Sequence, residues 1–206
     1  MLKLIITKLL KKRYSLFNEY YCDVTKKWLR DASKNHKVII NKHFIDDKGI
    51  RHPINNLEKA SIPSKDSNEY LVALTLAKKF GGVIRLQPRI ETAKGYSGKV
   101  SVPTPDYIWK NEKWDLKTPT DKGKFKNIVE RFFKNPKKVK RQANRFIIDF
   151  KNMHHITNRK IVNIAKKTLA SPHRDFIKCL ILIRNGKIIK VFIKNPRQAR
   201  AQRGSM

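Results

Sequence analysis

Residues 105–117 read PDYIWKNEKWDLK. Aromatic and β-branched residues lie on either side of the polar trio Lys110-Asn111-Glu112. That pattern predicts two short strands, Pro105 to Trp109 and Lys113 to Lys117, joined by a tight turn. Side chains alternate along a strand, so Trp114 and Leu116 face the core while Asp115 and Lys117 share the other face, toward a cleft or solvent. A turn at Lys110-Asn111 places Asp106 opposite Asp115. A turn at Asn111-Glu112 places it opposite Lys117. Both registers gather two carboxylates and one ammonium on one face. The register between them would send Asp106 to the core face as an unpaired carboxylate, which is costly.

Outward from this hairpin, the chain alternates strand and helix patterns. On its N-terminal side, residues 67–80 carry apolar Leu71, Leu74, Ala77 and Phe80 at helical spacing, stopped by Gly81-Gly82. VIRL (83–86) follows as a buried strand. Further upstream, residues 1–32 read as helical and basic. His36 to Asp46 and Ile50 to Ile54 read as a hairpin around Asp47-Lys48-Gly49, and residues 55–66 as a connection. On the C-terminal side, Phe125, Ile128, Val129, Phe132 and Phe133 form a helical stripe, and that helix continues past Pro136 to about Asn144. Then come FIID (146–149) as a buried strand, a helix over 158–170, and a hairpin of 176–183 with 187–193 around Asn185-Gly186. This order predicts an α/β or α+β domain with a mixed sheet.

The chain has 206 residues, 40% of them hydrophobic, enough for a real core. Forty-eight Lys and Arg against sixteen Asp and Glu leave a formal charge of +32. So much self-repulsion calls for a polyanionic partner: nucleic acid, an anionic membrane surface, or a small acidic protein. From Asp121 to Arg145 there are ten Lys or Arg and two acids. Lys122, Lys124, Lys126, Lys137, Lys138, Lys140 and Arg141 are the candidate contacts to a phosphate backbone, where they would displace condensed counterions. Tyr107 and Trp109 are candidates for base stacking.

Several classes drop out. Cys22 and Cys179 have no metal-ligand spacing, and Cys179 reads as a small buried hydrophobe. No apolar run approaches the ~20 residues that span a bilayer. The N-terminal MLKLIITKLLKKRYSLF is broken by Lys3 and Lys8 and lacks a cleavage site, so it predicts a docking helix rather than a secretory signal. A cytoplasmic protein, of the producing or a target cell, is expected.

Two adjacent carboxylates invite a hard divalent cation, and Mg²⁺ suits Asp106 and Asp115 best because it completes its shell with water and phosphate oxygens. Such an ion polarises a phosphodiester and acidifies an attacking water. Lys117 would stabilise the charge that develops at phosphorus. Thr118 and Thr120 could hydrogen-bond a phosphate, and Asp149 reads as the cap of the next turn.

Pro105-Asp106 with Asp115-Leu116-Lys117 matches the PD-(D/E)xK nuclease pattern. The wider stretches NEYLVALTLAKKFGGVIRLQPRI, TPDYIWKNEKWDLKTPT and KRQANRFIIDF resemble the C-terminal tRNase domain of contact-dependent growth inhibition (CdiA-type) toxins. The resemblance implies a PD-(D/E)xK-like mixed sheet flanked by helices over residues 46–194. Outside it lie an N-terminal helical extension with the first hairpin strand (1–45) and a basic tail (195–206). It implies an endoribonuclease acting on tRNA, with Asp106, Asp115 and Lys117 in the site, Gln142 facing it, and an acidic immunity protein as a further partner. It also points to Glu69 on the preceding helix. Asp66-Ser67-Asn68-Glu69 has the spacing of a capping box as well, with Glu69 at the third helical position. RNA is favoured over DNA. A DNA endonuclease of a mobile element or restriction system, and a non-catalytic nucleic-acid-binding protein, are the alternatives.

Overall fold

A computed structural model describes residues 17–18, 20–45, 51–53, 60–90, 104–119, 143–171 and 174–195. In chain order they form β1 (Tyr21–Asp23), α1 (Thr25–Arg30), β2 (His36–Ile40), β3 (His43–Ile45), β4 (Arg51–Pro53), β5 (Ala60–Ser61), α2 (Asn68–Phe80), β6 (Gly82–Leu86), β7 (Arg89–Ile90), β8 (Tyr107–Trp109), β9 (Glu112–Lys117), β10 (Arg145–Asp149), α3 (Asn158–Leu169), β11 (Cys179–Arg184) and β12 (Lys187–Lys194). Eight of these strands make one mixed sheet in the order β1-β12-β11-β10-β9-β8-β6-β2. β9, β10 and β11 run parallel, and hairpins β8–β9 and β11–β12 supply antiparallel neighbours.

The central strands are apolar on both sides because both sides are covered. Phe146 and Ile148 of β10, with Leu180 and Leu182 of β11, pack toward Ile161, Ala165 and Leu169 of α3. Ile147, Ile181 and Ile183 pack on the opposite face with Val72, Leu76 and Phe80 of α2. That second face also holds an aromatic cluster. Trp28 of α1 meets Phe80 and Trp109 edge-on, with ring centroids 5.4 and 5.9 Å apart. Each such side chain contributes roughly 1.5–3 kcal/mol by leaving water.

Local sequence explains the element ends. Ser67 caps α2 by accepting from the Tyr70 amide. Gly81 ends it at φ 73°, ψ −178°, a region open essentially to glycine alone. A Cβ there would also lie 2.4 Å from the Ser33 carbonyl oxygen. Lys110 and Asn111, both at positive φ, form the two-residue turn between β8 and β9.

The α/β class expected from the sequence is found, and three local expectations are corrected. Helix accounts for only part of residues 17–32, since Tyr21–Asp23 is a strand paired antiparallel with β12. Its short YCD segment gains its conformation from that partner, which local pattern cannot reveal. The strand expected over 36–46 is split. β2 pairs with β6 in the main sheet, and only β3 forms the hairpin ladder with β4. VIRL is half-buried, with Val83 43% exposed, because β6 is covered on one side only. The helix expected over 125–144, the docking helix at the N-terminus and the basic tail beyond residue 195 lie outside the described residues. Among the described residues, no helix is long and apolar enough to cross a membrane.

Candidate active site

The two-residue turn settles the hairpin register. Tyr107 pairs with Trp114, so Asp106 falls opposite Asp115 rather than Lys117. Asp106 Oδ2 accepts the Leu116 backbone N–H at 2.6 Å, which ties the residue before β8 to the end of β9. Trp114 is in the core and Leu116 packs against it. Asp115 and Lys117 occupy the other face, in register with Phe146 and Ile148 of β10.

That placement alters the expected exposure. Asp115 does not project into solvent. It is 3% exposed, beside the apolar side chains of the central sheet, and its compensating charge is the Lys117 ammonium, with which Oδ2 forms an ion pair. Apart from that ion pair, Oδ2 has no hydrogen-bond partner among the described residues. Lys117 is 21% exposed and lies at the rim.

Burial and the neighbouring Asp115 push the Asp106 carboxyl up to about 8, against the opposing pull of the Leu116 N–H and Lys117. The two carboxyl groups face one another across the hairpin, and the repulsion between them favours the protonated form of Asp106. The Tyr107 phenol, on the α2 side, is raised well above its ordinary value by burial and then by Asp106, Glu69, Asp149 and Asp115. Its hydroxyl donates to the Glu69 carbonyl oxygen at 3.0 Å, docking the first turn of α2 beside the hairpin.

Glu69 is therefore near the site, and the capping box proves to be absent. The cap is Ser67, one residue later than that motif requires, so Glu69 is the second helical residue. Asn68 and Asp149 were not among the expected site residues. Asn68 Nδ2 donates to Thr118 Oγ1 at 3.0 Å, and its side chain also hydrogen-bonds Asp149. Asp149 is buried, and Oδ1 accepts from the Lys151 amide at 3.1 Å, the turn cap expected of it. Burial nevertheless raises its pKa. No local signal marks Asn68, because its partners lie on strands far along the chain.

Tyr107 and Trp109 are fully buried, so neither is available to stack on bases. Gln142 and the cationic candidates Lys122, Lys124, Lys126, Lys137, Lys138, Lys140 and Arg141 lie outside the described residues, as does Thr120.

The donor set suits a hard divalent cation at two carboxylates. Asp106 and Asp115 lie opposite one another, burial leaves Asp106 a proton that a cation would displace, and among the described residues Asp115 Oδ2 has no hydrogen-bond partner besides its ion pair with Lys117. Mg²⁺ needs no more than one or two carboxylates from the protein. Among the described residues, no group of three or more His, Cys, Asp or Glu could hold a metal ion, so Glu69 does not join the pair as a third ligand here.

No curated protein and no solved structure matches the chain. Residues 103–188, which run from the Asp106–Lys117 hairpin through β10 and α3 into the last hairpin, match the family model of the contact-dependent growth inhibition CdiA C-terminal domain, the family whose motifs the sequence resembles.

Proposed function

We propose that the chain is a toxin-type nuclease that hydrolyses phosphodiester bonds in nucleic acid, with RNA, and tRNA in particular, as substrate. The observation that carries this is Asp106 set opposite Asp115 across the β8–β9 hairpin, with Lys117 ion-paired to Asp115, within the segment that matches the CdiA C-terminal domain. The mixed sheet with helices on both faces is compatible with a PD-(D/E)xK-like core. The +32 charge supplies the attraction to a polyanion.

In this reading Lys117 faces the scissile phosphate and stabilises the negative charge that builds on its oxygens. Burial beside Phe146 keeps water away from the Asp115–Lys117 pair and so strengthens that interaction. Asp106 holds β9 in place through the Leu116 N–H and offers its other oxygen to the site. Asp106 and Asp115 would hold Mg²⁺, which would supply Lewis-acid polarisation of the phosphate and a more acidic water. Glu69 orients or deprotonates the attacking water from the α2 side. CdiA toxin domains are paired with immunity proteins, and an acidic protein of that kind fits the charge of this chain.

Incubating the purified protein with total RNA, tRNA and plasmid DNA, with Mg²⁺ and with EDTA, tests the reading. Cleavage of tRNA that Asp115→Asn abolishes is the expected result. Cleavage of DNA alone would reassign the substrate, and binding without cleavage of either would overturn the enzyme.

A further inference from the structure

The first turn of α2 is fastened to the sheet at two points. One is the Tyr107 hydroxyl on the Glu69 carbonyl oxygen. The other is the Asn68 side chain, which reaches Thr118 just past the end of β9 and Asp149 at the end of β10. These two strands are adjacent and parallel, so one amide ties the helix to both. Asp149 is 4% exposed and fixed from its other side by the Lys151 amide, so it is a rigid anchor. The next residue along the helix is Glu69.

We propose that Asn68 is a positioning residue: its hydrogen bonds to Thr118 and Asp149 hold the first turn of α2 where Glu69 serves the Asp106–Asp115–Lys117 site. This deepens the nuclease reading and rests on it. Asn68 touches no reacting atom and acts through Glu69. Small displacements of a group that orients or deprotonates a nucleophile cost rate steeply, because the reacting geometry is narrow.

The geometry also supplies a rescue. In the exchanged pair Asn68→Asp with Asp149→Asn, an amide at 149 donates to a carboxylate at 68, and Thr118 donates its hydroxyl to the same carboxylate. The amide oxygen at 149 still accepts from the Lys151 N–H. A carboxylate in the first turn of a helix is also favourable. Asn68→Asp alone instead places two carboxylates together.

Two measurements on the full chain decide the matter. Hydrogen exchange of the Tyr70 and Leu71 amides should speed up about tenfold in Asn68→Ala, with the last turn of α2 unchanged. Unchanged exchange would overturn the anchor whatever the enzyme does. With tRNA as substrate, kcat of Asn68→Ala should fall at least about tenfold while KM stays within about twofold. The exchanged double variant should regain most of the rate. Asp115→Asn, assayed alongside, separates the two levels of inference. If it cleaves like wild type, the nuclease site itself is misplaced. If it is dead while Asn68→Ala cleaves normally, only the positioning role falls.

Discussion

The Asp106 side chain accepts the Leu116 backbone N–H at 2.6 Å while lying opposite Asp115, so a single side chain both pins strand β9 and supplies a titratable carboxyl to the site. The two roles are separable by substitution. Asp106→Asn keeps an oxygen for the Leu116 N–H and removes the ionisable carboxyl. It should fold with little loss of stability and lack cleavage. Asp106→Ala also strands that N–H and should cost about 1–3 kcal/mol more. Equal denaturant midpoints for the two variants would show that the Leu116 bond contributes nothing.

Stability should respond to pH through the same residue. The Asp106 pKa rises from 3.8 to about 8 on folding. Between those values the folded protein holds a proton that the unfolded chain has released, so stability falls as pH rises through the window. In metal-free protein the Tm should drop between about pH 5 and about pH 8, and less steeply in Asp106→Asn. If Asp106 and Asp115 hold Mg²⁺ as proposed, the ion competes with that proton and should raise the Tm more at the alkaline end of the window. Parallel pH profiles in wild type and Asp106→Asn would refute the assignment.

Lys117 carries a structural load as well as a chemical one. Asp115 is buried, and Lys117 is the cation ion-paired with it. Lys117→Met should abolish cleavage and destabilise the fold by about 3 kcal/mol, because it strands a buried carboxylate. Adding Asp115→Asn should recover much of that stability and none of the activity. Thermal melts and a gel cleavage assay read both effects.

Glu69 has no capping-box duty, since the cap is Ser67 and the Tyr70 amide is its partner. Glu69→Gln keeps the side chain's size and a hydrogen-bonding oxygen, so it should leave the stability within about 0.5 kcal/mol of wild type. If Glu69 serves the attacking water, the same change should lower cleavage by about a hundredfold or more. Full activity in Glu69→Gln would remove it from the site.

Lys137, Lys138 and Lys140 are expected to contact phosphates. In a cleavage-dead background, replacing all three with Gln should flatten the log–log salt dependence of RNA binding by about two units, at about 0.7 per contact on single strands. The change should be similar for unrelated sequences, since backbone contacts read no bases. An unaltered slope would assign the polyanion contact to another surface.

The hairpin, its shared face and the two-sided central strands were legible in sequence because each is a local pattern: alternation in PDYIWKNEKWDLK, apolar runs in β10 and β11, and a glycine stop after α2. The burial of Asp115 was not, because it depends on Phe146 and Ile148 of a strand some thirty residues away. Nor was the role of Asn68, whose meaning comes from Thr118 and Asp149. β1 was hidden for the same reason, since three residues carry no periodicity and only β12 makes them a strand.

Both edges of the large sheet come from the same short N-terminal stretch, β1 on one side and β2 on the other. The β1 edge is locked by contacts as distant as the Val191 amide on Thr25 Oγ1, 166 residues apart. On a ribosome the first strand therefore emerges long before the strand it must pair with. Non-local closure of this kind is slow, and it leaves an open strand edge exposed in the meantime. The sheet cannot be completed in chain order: β12, the last of the described strands to be synthesised, is the one on which β1 finds its place.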